Sequence, residues 1–273
     1  MRDYSEFPNL VVEPRGKNGD IFFVIINKPD RMNAIDPQTH TQIGRIWRVL
    51  DRDPDCRVIV LTGAGRAFSA GVDFKGPEGT SIIETAKPNY RSLRGRPGAS
   101  KILDYILEVE KPIISMINGP AIGLGFILAL IADITVASTE AKLGDTHINV
   151  GLTPGDGGVL LLPLLVGMNV AKELLLTGDV ITGERAAQLG VVNYAVPPAE
   201  LEDFTLQLGE KLAGKAPYAV KTTKAAVNMI LRRRALDVLD LSHLYEQLAM
   251  RTDDHREGIK AVWEDREAHY TGR

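Results

Sequence analysis

Residues 118–133, NGPAIGLGFILALIAD, restrict the fold more than any other stretch of this chain, because a glycine-rich turn runs straight into an apolar segment. Glycines at 119, 123 and 125 let the backbone approach something bound, and the apolar residues that follow send a helix into the core. The first turn of a helix carries N–H groups with no internal partner, and its aligned peptide dipoles make that end partly positive. A buried helix that starts at a ligand therefore suits an oxygen that gains negative charge during a reaction. Close helix packing would also use Gly123 and Gly125, so this stretch does not decide alone.

Residues 57–75, RVIVLTGAGRAFSAGVDFK, supply a second turn: an apolar strand, a glycine turn, then Ser69-Ala70-Gly71-Val72-Asp73. Two such turns, each offering a backbone N–H, are the halves needed to hold one carbonyl oxygen. The patterns Asn27-x-Pro29-x-x-x-Asn33-Ala34, Ala67-Phe68-Ser69-Ala70-Gly71-Val72-Asp73 and Asn118-Gly119-x-Ala121-x-Gly123-x-Gly125 resemble the enoyl-CoA hydratase/isomerase (crotonase) family. So does the tail, Thr252-Asp253-Asp254-x-x-Glu257-Gly258 to Arg266. The resemblance implies an α/β, crotonase-like spiral of β-β-α repeats over residues 1–197. It further implies a C-terminal helical oligomerisation region over 198–273, packing against neighbouring subunits in a homotrimer or a dimer of trimers.

The chemistry implied is stabilisation of a thioester enolate, with no permanently bound cofactor and no metal, and with coenzyme A arriving as part of an acyl-CoA substrate. The family pattern puts the two donors on the backbone N–H groups of Val72 and Leu124. It lays Val72, Asp73, Phe74 and Lys75 along the coenzyme, with Ala70, Ala34 and the cation Arg31 beside them. Asp73 also reads as a brace for its own turn. Hydratases of the family hold a water between two glutamates, and the matching positions here are Ile127 and His147. Isoleucine moves no proton, so that form of hydration is not expected.

His147, Asp156, His40 and Glu246 remain as candidate acid/base groups. Asp156, in Pro154-Gly155-Asp156-Gly157-Gly158, reads equally as a catalytic carboxylate and as a cap for the helix that follows. His147 reads equally as a group that titrates near neutrality and as a buried histidine bonded to Asp145. His40, Asp156 and Glu246 together match positions of 6-oxocamphor hydrolase, a crotonase relative that cleaves β-diketones without coenzyme A. That makes carbon–carbon hydrolysis the runner-up, and a crotonase-fold subunit without turnover a third reading.

The remaining sequence agrees with a soluble α/β chain. A net charge of −3 and a pI near 6.0 give no electrostatic case for nucleic acid. The longest apolar run, 126–132, is far below the ~20 residues of a membrane span. The single cysteine, Cys56, fits a cytoplasmic location and reads as packing. No apolar N-terminal segment suggests a secretion signal. A hairpin is expected from 10–13 and 21–26 around Gly16-Lys17-Asn18-Gly19, with Asp36 capping a helix that opens at Pro37. Strands are expected at 58–61, 113–117, 134–137 and 191–196, and helices at 102–110, 171–176 and 183–189. Residues 76–100 read as a loop beside the site, and 199–273 as helical with Leu201, Phe204, Leu208 and Leu212 on one stripe. Gly63-Ala64-Gly65 lacks the third glycine of a dinucleotide turn, residues 151–158 lack the lysine of a phosphate loop, and Arg232-Arg233-Arg234 reads as a solvated face.

Overall fold

The computed structural model describes residues 2–74 and 100–273. Lys75 and nearly all of the expected 76–100 loop lie outside these residues. A six-stranded sheet runs β1 (Leu10–Arg15), β2 (Ile21–Ile26), β3 (Val58–Gly63), β4 (Ile113–Ile117), β6 (Ile134–Ser138), β9 (Tyr194–Val196) in spatial order. Only the β1–β2 pair is antiparallel, in register from Leu10 opposite Ile26 to Arg15 opposite Ile21. The hairpin turns where expected, with Gly16 and Gly19 both at positive φ. A three-stranded sheet of β5 (Ala121–Ile122), β7 (Lys142–Gly144) and β8 (Ile181–Thr182) stands beside it.

Both faces of the large sheet are covered, which is why β2 and β3 read as apolar runs rather than alternations. On one face lie α1 (Pro37–Asp51), α2 (Ser100–Glu108) and α3 (Leu124–Leu130), sharing a core with Trp47, Phe68, Phe126 and Ile127. Asp36 caps α1 through the Thr39 N–H and Pro37 opens it, as the sequence predicts. On the other face α7 (Leu201–Ala213) lays Leu201, Phe204, Leu208 and Leu212 against Ile21, Phe23, Val58 and Val60. Arg57 donates to the Ala213 and Lys215 carbonyls at the end of that helix, where a cation meets the negative pole.

Between them the chain forms α4 (Gly158–Val166), α5 (Met168–Thr177) and α6 (Gly183–Leu189), then closes with the long α8 (Pro217–Ala249) and α9 (Asp253–Glu264). The last strand is shorter than the 191–196 expected from its valines. Val191 instead donates its N–H to the Ala186 carbonyl and wraps the end of α6, so only Tyr194–Val196 reaches the sheet. Cys56 is buried, and burial pushes its thiol up to about 12, which fits packing rather than nucleophilic use. No helix among the described residues is long and apolar enough to cross a membrane.

Candidate functional site

The two glycine turns are locked together by backbone hydrogen bonds. Phe68 and Ser69 donate to the Pro120 carbonyl, and Ile122 donates back to Ser69. The fit leaves no room for side chains. Gly71, at φ +84°, would put a methyl 2.5 Å from the Ile122 oxygen, and a methyl on Gly125 would overlap the Ser69 oxygen. That same methyl on Gly71 would stand 3.6 Å from the Leu124 nitrogen. The Val72 and Leu124 nitrogens are therefore within about 7 Å of each other, given standard bond lengths. Neither N–H donates a backbone hydrogen bond among the described residues, and Leu124 is the first residue of α3, where helices leave donors unpaired.

A second strip runs alongside. Ala70 donates to the Met32 carbonyl, Ile35 to Gly71 and Asp73 to Ile35, so residues 32–35 and 70–73 form one continuous edge. This edge carries most of the residues expected along a coenzyme: Ala34 nearly buried, Ala70 exposed, Phe74 half-buried. Arg31 and Asp73 meet at 2.6 Å across it, so Asp73 braces the turn while its partner guanidinium stays partly open to solvent.

His147 reaches the oxyanion-type turn from below, on the short 3-10 segment His147–Val150. Its Cε1 lies 3.8 Å from where a side chain on Gly123 would begin. Nδ1 is 2.5 Å from Asp145 Oδ1, so this N–H donates to a carboxylate, and Nε2 lies 3.4 Å from Asp156 Oδ2. Asp156 is 1% exposed, and neither of its oxygens has a hydrogen-bond partner among the described residues. It does not cap α4: Gly157 holds that position at φ 139°, a conformation suited to glycine, with no side-chain cap. From the opposite side Glu246 of α8, 6% exposed, presses so close that a methyl on Gly155 would overlap Oε2. Ile127 occupies the remaining wall, and a methyl on Gly157 would lie 3.0 Å from its Cγ2.

Electrostatics follow from this crowding. Burial disfavours the charged form of His147, yet the Asp156 and Asp145 carboxylates more than offset it and raise the imidazole to about 10. Asp156 goes up to about 7, through burial first and the Glu246 and Asp145 charges next, with His147 opposing. One group of this pair thus titrates near neutrality. Donor atoms of Asp145, His147 and Asp156 lie within 4.8 Å of one another. The short Nδ1 contact to Asp145 and the Nε2 approach to Asp156 give the imidazole a carboxylate on each side, an arrangement able to move a proton.

Val72, Leu124, His147, Asp156 and Glu246 are linked by the contacts above, and no hydrogen bond or ion pair joins the His40 ring to them among the described residues. His40 lies on α1, with Nε2 buried and without a hydrogen-bond partner among the described residues, and burial lowers its pKa. Sequence reasoning named Asp145 only as a bonding partner, and it passed over His243 and His255. His243 Nδ1 lies 3.3 Å from Glu246, and His255 Nδ1 lies 2.6 Å from the Val150 carbonyl. The only signal for Asp145 is its two-residue spacing from His147.

A spiral of parallel strands feeding interlocked glycine turns defines a fold class. The crystal structure of an enoyl-CoA hydratase/isomerase from Mycobacterium paratuberculosis matches this chain with a TM-score of 0.80 and 32% identity, over 92% of this chain and 97% of that one. Among curated relatives, (E)-benzylidenesuccinyl-CoA hydratase of Thauera aromatica is 37% identical over 258 residues, 92% of this chain and 96% of that protein. The 1,2-epoxyphenylacetyl-CoA isomerase of Escherichia coli is 32% identical over 253 residues, 93% of this chain and 95% of that protein. The family model described as enoyl-CoA hydratase/isomerase matches residues 16–273. The chain belongs to the enoyl-CoA hydratase/isomerase family and is an enzyme of that hydratase/isomerase kind.

Proposed function

We propose that this enzyme acts on an acyl-CoA thioester. The Val72 and Leu124 N–H groups hold the thioester oxygen, and Asp156, backed by His147, exchanges a proton with the carbon next to it. The observation that carries the reading is the interlocked pair of turns, with two amides that donate no backbone hydrogen bond among the described residues, and His147 beside Gly123. Two donors aimed at the developing oxyanion lower the barrier by about 3 kcal/mol each. Relatives named for acyl-CoA hydration and isomerisation support the substrate class.

The coenzyme runs along the edge formed by residues 32–35 and 70–74, with Arg31 as its cation. Because Ile127 stands where the family holds a glutamate, Asp156 replaces the water-holding pair of carboxylates. Glu246 beside Asp156 favours a second reading, coenzyme-independent β-diketone hydrolysis. The exposed apolar residues of α8, among them Met229, Ile230 and Leu236, support a homo-oligomer with this helical region at its contacts.

One experiment separates the readings. Acyl-CoA esters, free coenzyme A and cyclic β-diketones are added in a thermal-shift panel, and responsive thioesters are then incubated with the enzyme in deuterium oxide. A thioester at a hundred times its Kd is expected to stabilise the fold by about 2.7 kcal/mol, and deuterium is expected to enter the carbon next to the carbonyl. Stabilisation by diketones alone, with their cleavage, would replace this reading with the second.

A further inference from the structure

Asp145 has no place in the reaction as described, yet it is one of the most enclosed charged groups in the chain, 2% exposed. Its Oδ1 takes the Nδ1 proton of His147 at 2.5 Å and lies 3.4 Å from the His147 backbone nitrogen. Its Oδ2 has no hydrogen-bond partner among the described residues but presses on Gly158, where a methyl group would overlap it. Gly158 is the first residue of α4, so this carboxylate faces the positive end of a nine-residue helix. The contact with His147 is short and directional, whereas the contact from Nε2 to Asp156 is 3.4 Å, longer than an ordinary hydrogen bond.

We propose that Asp145 is a positioning residue. Anchored on the α4 terminus, it holds the His147 ring by Nδ1, aims Nε2 at Asp156, and so leaves Asp156 as the carboxyl group that exchanges a proton with the substrate. The proposal rests on the function put forward above for its catalytic consequence, but its geometric part stands without a substrate. In the step itself, Asp156 takes a proton from the carbon next to the thioester carbonyl and returns it to the product. The electron pair of the broken C–H bond moves to the thioester oxygen held by Val72 and Leu124. His147 stays protonated throughout, facing a carboxylate that is neutralised as it takes the proton and recharged as it returns it. No electron leaves or enters.

The titratable groups around the ring come from four parts of the chain, and Asp156, Asp145 and Glu246 carry the charges that act on it. The site's own segment brings Asp145, the turn before α4 brings Asp156, α8 brings Glu246 with His243 beside it, and α9 brings His255 on the Val150 carbonyl. Around Gly157, next to Asp156, the neighbours are apolar: Ile127 of α3 and Leu103 of α2, whose Cδ1 would lie 2.9 Å from a methyl on Gly157. Of these groups, Asp145 alone bonds to Nδ1 among the described residues.

The test uses the full chain with nitrogen-15 in its histidines. In the unsubstituted protein, the His147 ring is expected to show both nitrogens protonated at pH 7 and a strongly deshielded Nδ1 proton. Asp145→Asn is expected to lose that proton signal and to lower the ring's titration midpoint by at least one pH unit, a tenfold change. Asp145→Glu is expected to restore part of the shift. With a turned-over thioester, Asp145→Asn is expected to reduce kcat at least tenfold with KM little changed and to move the alkaline limb of the pH profile to lower pH. Unaltered ring signals in a folded Asp145→Asn protein would overturn the proposal. A loss of turnover that merely follows the melting temperature, with the pH limbs in place, would overturn it too. If the ring signals respond as expected but no thioester is processed, the functional reading fails and the positioning role stands.

Discussion

Asp156 concentrates the chemistry because it is buried, without a hydrogen-bond partner among the described residues, and faced by the His147 ring at 3.4 Å. Replacing it by asparagine keeps the shape and removes the proton carrier, so Asp156→Asn is expected to fold normally and to lose 10²–10⁴-fold in kcat, read by steady-state turnover and circular dichroism. The pH dependence has a definite sign. With Asp156 working as the base, kcat/KM is expected to climb as pH rises through about 7 and to fall as His147 loses its proton near about 10. These limbs belong to the coupled pair rather than to either residue. Folding has its own dependence, since both groups bind protons more tightly when folded. Their stabilising contribution is full at low pH and is lost as pH rises, between 3.8 and about 7 for Asp156 and between 6.5 and about 10 for His147. Denaturant midpoints taken across that range should decline, and Asp156→Asn should remove the lower part of the decline.

Among the elements, the interlocked turns tie catalysis to packing. Gly125→Ala drives a methyl into the Ser69 carbonyl, and Gly71→Ala adds a left-handed backbone to a comparable overlap. Each is expected to cost about 1–3 kcal/mol in chemical denaturation and to lower turnover by more than its effect on stability explains, because it separates the two amides. A different contact fixes α8 to the core: Lys224 Nζ lies 2.6 Å from Asp133 and donates to the Lys111 carbonyl at 2.7 Å. Burial raises Asp133 while Lys224 pulls it down. Removing the cation leaves the partly exposed Asp133 carboxylate with the Ile113 N–H as its hydrogen-bond donor, so Lys224→Met is expected to lose about 1–2 kcal/mol, less than for a fully enclosed pair.

At the scale of the molecule, the proposed oligomer makes the clearest prediction. Ile230 and Leu236 are 65% and 72% exposed on α8, and Ile230→Glu with Leu236→Glu is expected to shift the sedimentation coefficient from an assembly to a monomer. Unchanged sedimentation at the mass of a single chain would remove oligomerisation from the proposal. Much of the fold is legible in the chain because its signals are local: the cap at Asp36, the glycine hairpin after Arg15, the apolar runs of β2 and β3. The two turns are legible for the same reason, each carrying its glycines within a few residues. The surroundings of Asp156 are not, since Glu246 reaches it from a helix remote in sequence, and neither a period nor a motif records that meeting.

The turn that carries Asp156 is closed over by Glu246 of α8, and the segment carrying His147 is gripped by His255 of α9 through the Val150 carbonyl. Synthesis runs from the other end. A growing polypeptide still attached to the ribosome at residue 240 would already own both glycine turns and yet lack the last walls of its proton-handling chamber. Activity should therefore appear late, only once the final helices have emerged and folded back.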